Sequence, residues 1–224
     1  LKAIPVFLCL AGLAGAASAE TLDQVLARVN KEAASFRKMT AKFTKTQFIA
    51  VLNDTSQESG ILWMKKSGKK LEMRGEVTGT DARSFGFRDS KGEIFYPKIN
   101  TVQIYDLGKE RSLVDQFLLL GFGSSGSDIA KTYSMKTAGE ETVNGIKTTR
   151  LELVPKSQKV LEQIQKVYLW IPDNAGHPVQ QQFMQPGGNY YKVVYSDMQI
   201  NPNLPDSEFS LKLPPGVKKD YPQR

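Results

Sequence analysis

The chain has 224 residues, with 30 Lys and Arg against 23 Asp and Glu, a formal charge of +7 and a sequence pI near 9.3. That length fits one all-β or α+β domain with a sizeable core. One cysteine, Cys9, and one histidine, His177, leave no disulfide framework and no thiolate metal site, and argue against zinc-hydrolase or His-dependent nucleophilic chemistry. Neither H-E-x-x-H nor G-x-S-x-G occurs.

The chain opens with Lys2, an apolar run from Ile4 to about Ala14, and Ala17-Ser18-Ala19. This is the layout of a secretory signal peptide cleaved before Glu20. The run is shorter than the roughly 20 apolar residues a spanning helix needs. The expectation is a cleavable signal at 1–19 and a single exported domain at 20–224. Cys9 lies in the signal, and Val6-Phe7-Leu8 lack the small residues of a lipidation site. The charge reads first as a solvated basic surface; as a functional patch in an exported chain it would meet membrane headgroups or acidic proteins, since nucleic acid is rarely available there.

Thr21–Phe36 reads as an amphipathic helix, with Leu22, Val25, Leu26, Val29, Ala33 and Phe36 on one side. Thr21 and Gln24 match a capping box at its start. From Met39 the period becomes two, with Met39, Ala41 and Phe43 alternating with polar residues. Short strands follow at Gly60–Lys66, Lys70–Arg74, Ser84–Arg88, Glu93–Tyr96 and Thr101–Asp106, separated by turn chemistry such as Asp89-Ser90-Lys91-Gly92. Arg111–Leu120 interrupts them, placing Leu113, Val114, Phe117, Leu118 and Leu120 at helical spacing before Gly121 as a stop. A short helix is expected at Asp128–Tyr133, capped by Ser127. Strands resume after Gly139, with Glu140-Glu141 in a turn. Gly145–Pro155 follows, then Lys166–Ile171 and Val179–Met184 flanking the Pro172–Pro178 turn, then Tyr190–Tyr195. His177 is read as an exposed residue of that turn. Together these describe a large antiparallel sheet that curls, one face of which two amphipathic helical segments cover.

Gly121-Phe122-Gly123-Ser124-Ser125-Gly126 is a literal G-x-G-x-x-G, but it follows a helical pattern among antiparallel strands, so it reads as a hinge and not as a dinucleotide loop. Acidic residues are dispersed, and nothing favours a catalytic carboxylate pair. Phe117-Leu118-Leu119-Leu120 with Phe122 is apolar on nearly every side. Such a segment is either deeply buried or a lid that moves between cavity and ligand. Met64 and Met73 suit an adaptable apolar surface.

Gly60-Ile61-Leu62-Trp63-Met64-Lys65-Lys66, then Val102–Asp106, the leucine-rich insert, Tyr168-Leu169-Trp170-Ile171 and the ending Phe209–Val217 with Pro214-Pro215-Gly216 occur in that order. In this the chain resembles the LolA-type outer-membrane lipoprotein carriers over essentially its whole length after residue 19. The resemblance implies an incomplete, half-open β-barrel of the α+β class, mainly antiparallel, whose concave apolar face is covered by amphipathic helices. It implies a periplasmic monomer without catalysis or cofactor. Such a protein carries acyl chains of lipoproteins from an inner-membrane ABC exporter to an outer-membrane acceptor. On the same fold the alternatives are a lipid or glycolipid carrier and a lipoprotein-sensing regulatory domain. The family's lid-latching arginine corresponds to Lys66, and its following proline to Ser67. An ammonium lacks the planar multi-donor geometry of a guanidinium. Leu62, Met64 and Lys66 share one strand face, taken as the concave one. Leu71, Met73, Phe85 and Phe87 are further wall candidates, and Leu118, Leu119, Leu120 and Phe122 are lid candidates. Alternation alone leaves open which sheet face is concave.

Overall fold

The computed structural model describes residues 20–68, 70–110, 114 and 117–223. The expected signal peptide with Cys9, and Leu113 with most of the first part of the insert, lie outside the described residues. Helix α1 (Leu22–Ser35) starts as the sequence indicates: the Thr21 hydroxyl accepts from the Gln24 backbone, and the Gln24 side chain accepts from the Thr21 backbone. Its stripe of Val25, Val29 and Ala33 is buried on the sheet.

Twelve strands form one sheet. They are β1 (Lys38–Ile49), β2 (Asp54–Ser67), β3 (Lys70–Val77), β4 (Arg83–Arg88), β5 (Lys91–Tyr96), β6 (Thr101–Asp106), β7 (Tyr133–Val143), β8 (Ile146–Pro155), β9 (Lys166–Pro172), β10 (Gln180–Met184), β11 (Tyr190–Ile200) and β12 (Lys218–Asp220). Their order is β12-β6-β5-β4-β3-β2-β1-β11-β10-β9-β8-β7. Every pairing is antiparallel except β12 with β6. The outermost strands, β12 and β7, do not pair with each other, so the barrel is incomplete, as the sequence reading expected. Between β6 and β7 lie the insert and helix α2 (Gly126–Thr132). Helix α3 (Gln158–Leu161) joins β8 to β9.

Three local expectations are corrected. The second helix starts at Gly126 with Ser125, not Ser127, as its cap, because the Ser125 hydroxyl reaches the Asp128 backbone N–H at 3.1 Å. Glu140 and Glu141 lie in β7, not in a turn. Gly139 there (φ +100°) makes a bulge at which the register with β8 shifts, and the strand continues. β2 begins at Asp54, before any hydrophobic alternation, because its polar first half pairs with β1 from Ile49 to Thr44.

The covered face holds two apolar clusters. Val25, Val29, Leu120, Ile129, Leu151, Leu153, Val167, Leu169 and Ile171 fill one half. Phe36, Met39, Ala41, Phe43, Leu62, Met64, Leu71, Leu119, Phe122 and Tyr195 fill the other. The insert therefore bridges both. The opposite face of β2–β4 is also covered. There the segment around Phe209 packs down, the Arg74 guanidinium stacks on Trp63 with its carbon 3.9 Å from the ring centre, and Arg74 donates to the Glu208 carbonyl at 3.0 Å.

Candidate functional site: an apolar face under a tied insert

Cross-strand register decides which side chains meet. Leu62 lies opposite Ala41 and Gly75, Met64 opposite Met39 and Met73, and Lys66 opposite Leu71. Phe85 is opposite Gly75 and Phe87 opposite Met73. Since directly opposed residues share a face, the strand candidates all lie on the side that α1 and the insert cover. Leu62, Met64, Leu71 and Phe87 are buried. Met73, Phe85 and Leu118 are partly buried against the same cluster, and Leu119 and Phe122 belong to it. Leu120, in contrast, points into the neighbouring cluster. At Gly75 a Cβ would lie 2.1 Å from the Phe85 ring, so the missing side chain is what lets that ring lie flat across β3.

Phe122, like Leu120, is buried at 1% exposure. Its ring stacks on His177 (5.8 Å, 16°), meets Tyr195 edge-on (5.3 Å, 87°) and tilts against Phe36 (6.4 Å, 42°). Gly121 and Gly123 flank it at φ +83° and +82°, backbone angles that side-chain-bearing residues rarely adopt. The insert presents its own carbonyls to side chains of the barrel. Gln181 Nε2 donates to the Leu120 carbonyl at 2.6 Å, His177 Nδ1 to the Gly121 carbonyl at 3.3 Å, and Lys66 Nζ to the Gly123 carbonyl. The Tyr195 hydroxyl orients Gln181 by donating to its Oε1 at 2.7 Å. On the outer side, Asn30 of α1 accepts from the Gly126 backbone at 2.7 Å. Lys66 thus occupies the position from which the resemblance places a latching cation. Burial, opposed by Asp128, lowers its pKa from the usual lysine value.

His177 corrects the sequence reading. The turn is where it was expected, but the imidazole is 4% exposed. It is buried because Gly176 lets α1 press onto the turn: a Cβ there would stand 2.4 Å from the Arg28 carbonyl. A carbonyl only accepts, so Nδ1 carries the proton. Among the described residues Nε2 has no hydrogen-bond partner, and it faces the Glu32 carboxylate at 3.5 Å. Burial lowers the His177 pKa below the ordinary 6.5, against the opposing pull of the Gly121 carbonyl and Glu32. His177, Gln181, Tyr195 and Phe36 were not among the sequence candidates. Only Phe36 carried a signal, as the last apolar position of the first helix.

Two cavities adjoin this region. One, of about 580 Å³, is lined at the far end of the same face by Lys45, Gln47, Ser56, Glu58, Val77 and Arg83. Lys45 (3.1 Å) and Arg83 both pair with Glu58, and together they outweigh its burial and hold its pKa down. The other, of about 490 Å³, opens beside the insert between Lys66, Gly68, Leu119, Leu120, Ile129 and Tyr133. Among the described residues no group of three or more His, Cys, Asp or Glu could hold a metal ion. None of the described helices is long and apolar enough to cross a membrane.

The comparisons turn on this geometry: an unclosed sheet with helices on one face. No family model matches the chain, and no curated protein matches it. Solved structures do share its fold. An uncharacterized conserved protein from Thermus thermophilus matches over 89% of this chain and 98% of that one, at 10% identity and TM-score 0.55. MucB matches at 13% identity and TM-score 0.52 over 85% of this chain, which spans 62% of the MucB chain. MucB in the Pseudomonas aeruginosa MucA/MucB complex matches at 13% identity and TM-score 0.50. At these identities the likeness is one of fold.

Proposed function

We propose that this chain is a non-enzymatic periplasmic carrier that takes up acyl chains of lipoproteins and moves them from the inner to the outer membrane. The observation that carries the reading is the kind of cover on its apolar face. Leu62, Met64, Leu71, Met39 and Phe43 are shielded by a glycine-flanked insert tied through three single side-chain bonds to its carbonyls, and not by a second paired sheet. Opening it would offer an acyl chain the surface that Leu119 and Phe122 now fill. Each methylene so buried is worth about 0.8 kcal/mol, which makes a long chain transportable through water. In this reading the wall comprises Leu62, Met64, Leu71, Met73, Phe85 and Phe87, the lid Leu118 to Leu120 with Phe122, and the latch Lys66. Loading from an ABC exporter and delivery to an outer-membrane acceptor follow from the same reading.

Native mass spectrometry of residues 20–224 recovered from their own periplasm, followed by organic extraction, tests it. A mass excess matching an acylated protein or peptide supports lipoprotein carriage, and an extractable lipid without protein moves the reading to a lipid carrier. A bare mass, with no uptake of an acyl probe in vitro, refutes both. The fold shared with MucB, whose complex with MucA is known, favours one second reading: a regulatory domain. That reading requires stable capture of a membrane protein's periplasmic segment.

A further inference from the structure

The ammonium of Lys66 is held in an unbalanced setting. Among the described residues it makes no ion pair, and its hydrogen-bond acceptor is the neutral Gly123 carbonyl. Arg37 adds to the positive field around it. The carboxylate that acts on it from nearby, Asp128, is already engaged by Lys131 at 2.7 Å and by the Ser125 hydroxyl at 2.7 Å. Lys66, together with Lys131, borders the 490 Å³ cavity, whose lining adds the apolar Leu119, Leu120, Ile129 and Tyr133 and the polar Ser124, Asp128 and Thr132. A cleft with an apolar side, and with Lys66 left over once Lys131 has taken Asp128, has the charge and shape of an amphiphile site. An ionised oxygen is a better acceptor for an ammonium than a carbonyl, because a bond between two charged groups is roughly twice as strong as a neutral one.

We propose that Lys66 is the receptor for an anionic headgroup, and that the cargo is an acyl amphiphile bearing a phosphate or carboxylate. The inference rests on the carrier reading in that an acyl chain occupies the apolar face, and it names an anionic lipid, the lipid-carrier form of that reading, as what is carried. The anion replaces the Gly123 carbonyl as acceptor of the Lys66 N–H groups. The insert stays released only where the chain attached to that headgroup takes the place of Leu119 and Phe122, so an anion without a chain leaves it closed. Recognition of the head and opening of the apolar face are then one event.

The test compares lysophosphatidylglycerol, monopalmitoylglycerol and inorganic phosphate by calorimetry, with hydrogen exchange of the Leu120 and Phe122 amides as the reporter of opening. The expected result is lysophosphatidylglycerol binding about tenfold tighter than the neutral lipid, with faster exchange of the insert amides. Inorganic phosphate alone should leave those amides protected. In Lys66→Met the ratio should fall to about one, and Lys66→Arg should keep it. Equal affinity for the two lipids in the natural chain overturns the proposal and leaves the carrier reading standing. Phosphate that opens the insert as well as the lipid does assigns the site to the free anion and overturns it too. Binding of neither lipid removes both this proposal and the carrier reading.

Discussion

Phe122→Ala separates a lid from an ordinary piece of core. The ring is 1% exposed and sits among Phe36, His177 and Tyr195. Removing a buried phenylalanine ring costs about 3–5 kcal/mol, the lost transfer energy plus the cavity left behind. The geometry says where that loss falls. Phe122 is anchored through a hinge with positive φ on both sides, so the insert can leave while β1–β11 stay paired. A loss of 3 kcal/mol confined to closure multiplies the open population by about 100-fold or more. The assay is hydrogen exchange. The Phe122 amide, bonded to the Leu119 carbonyl at 2.8 Å, and the Leu120 amide, bonded to Phe117 at 3.3 Å, should exchange faster by that factor. Because the substitution raises the closed state itself, the denaturation midpoint falls too. What marks a lid is that the insert amides exchange through an opening well below the global unfolding free energy that governs the Leu151 and Leu169 amides, in the natural chain and in the variant. If instead the insert amides exchanged with the same free energy as those of Leu151 and Leu169 and as global unfolding, the insert would belong to the cooperative core and the carrier argument would lose its lid.

Three further outcomes are expected. Closure should weaken on acidification: the lowered His177 pKa means the open state binds a proton more readily, so the contribution is complete above the ordinary 6.5 and is lost as pH falls through it toward the lowered value. Acyl-probe uptake should rise at about pH 5.5, and His177→Gln should flatten that profile; a profile unchanged by the substitution refutes the assignment. Gly121→Ala forces φ +83° on a side chain and brings its Cβ 2.7 Å from Pro178, so it should cost about 1–2 kcal/mol of closure. Probe uptake as slow as in the natural chain would contradict this. Glu20 accepts from Arg28 (2.8 Å for the second of two bonds) and from Thr149 (2.8 Å), which ties the start of α1 to β8. The Arg28 bond, above all, holds the carboxyl below 4.5, so its stabilisation is present above that pH and disappears as pH falls through the lowered value. Glu20→Gln should lower neutral-pH stability by about 1–2 kcal/mol and flatten the acid limb of a denaturation curve.

The elements read best from sequence were those fixed by neighbours along the chain. The α1 cap needs only Thr21 and Gln24, and the alternation at Met39, Ala41 and Phe43 reports a half-buried strand whatever lies opposite. The same alternation put Leu62, Met64 and Lys66 together, and pairing confirmed that they share the covered face. What was illegible came from partners distant in sequence. The polar start of β2 is a strand because β1 supplies its ladder. His177 is buried because α1, with Arg28 at the contact, lies over the neighbouring Gly176, far along the chain from that helix. Gln181 and Tyr195 look like unremarkable strand residues until the insert's carbonyl arrives between them and the helices.

A barrel left unclosed has two strands with one unpaired side each, and such ladders are templates for another copy of the same chain. Here each flank is made a poor template. β12 is three exposed residues, two of them lysines, and it runs parallel to β6, where the rest of the sheet is antiparallel. β7 is bent by its bulge at Gly139 and carries Lys136, Glu140 and Glu141 toward solvent. A second molecule approaching edge to edge would meet a broken hydrogen-bond register on one side and too little strand on the other. The sheet can remain open at high concentration without growing into a ribbon.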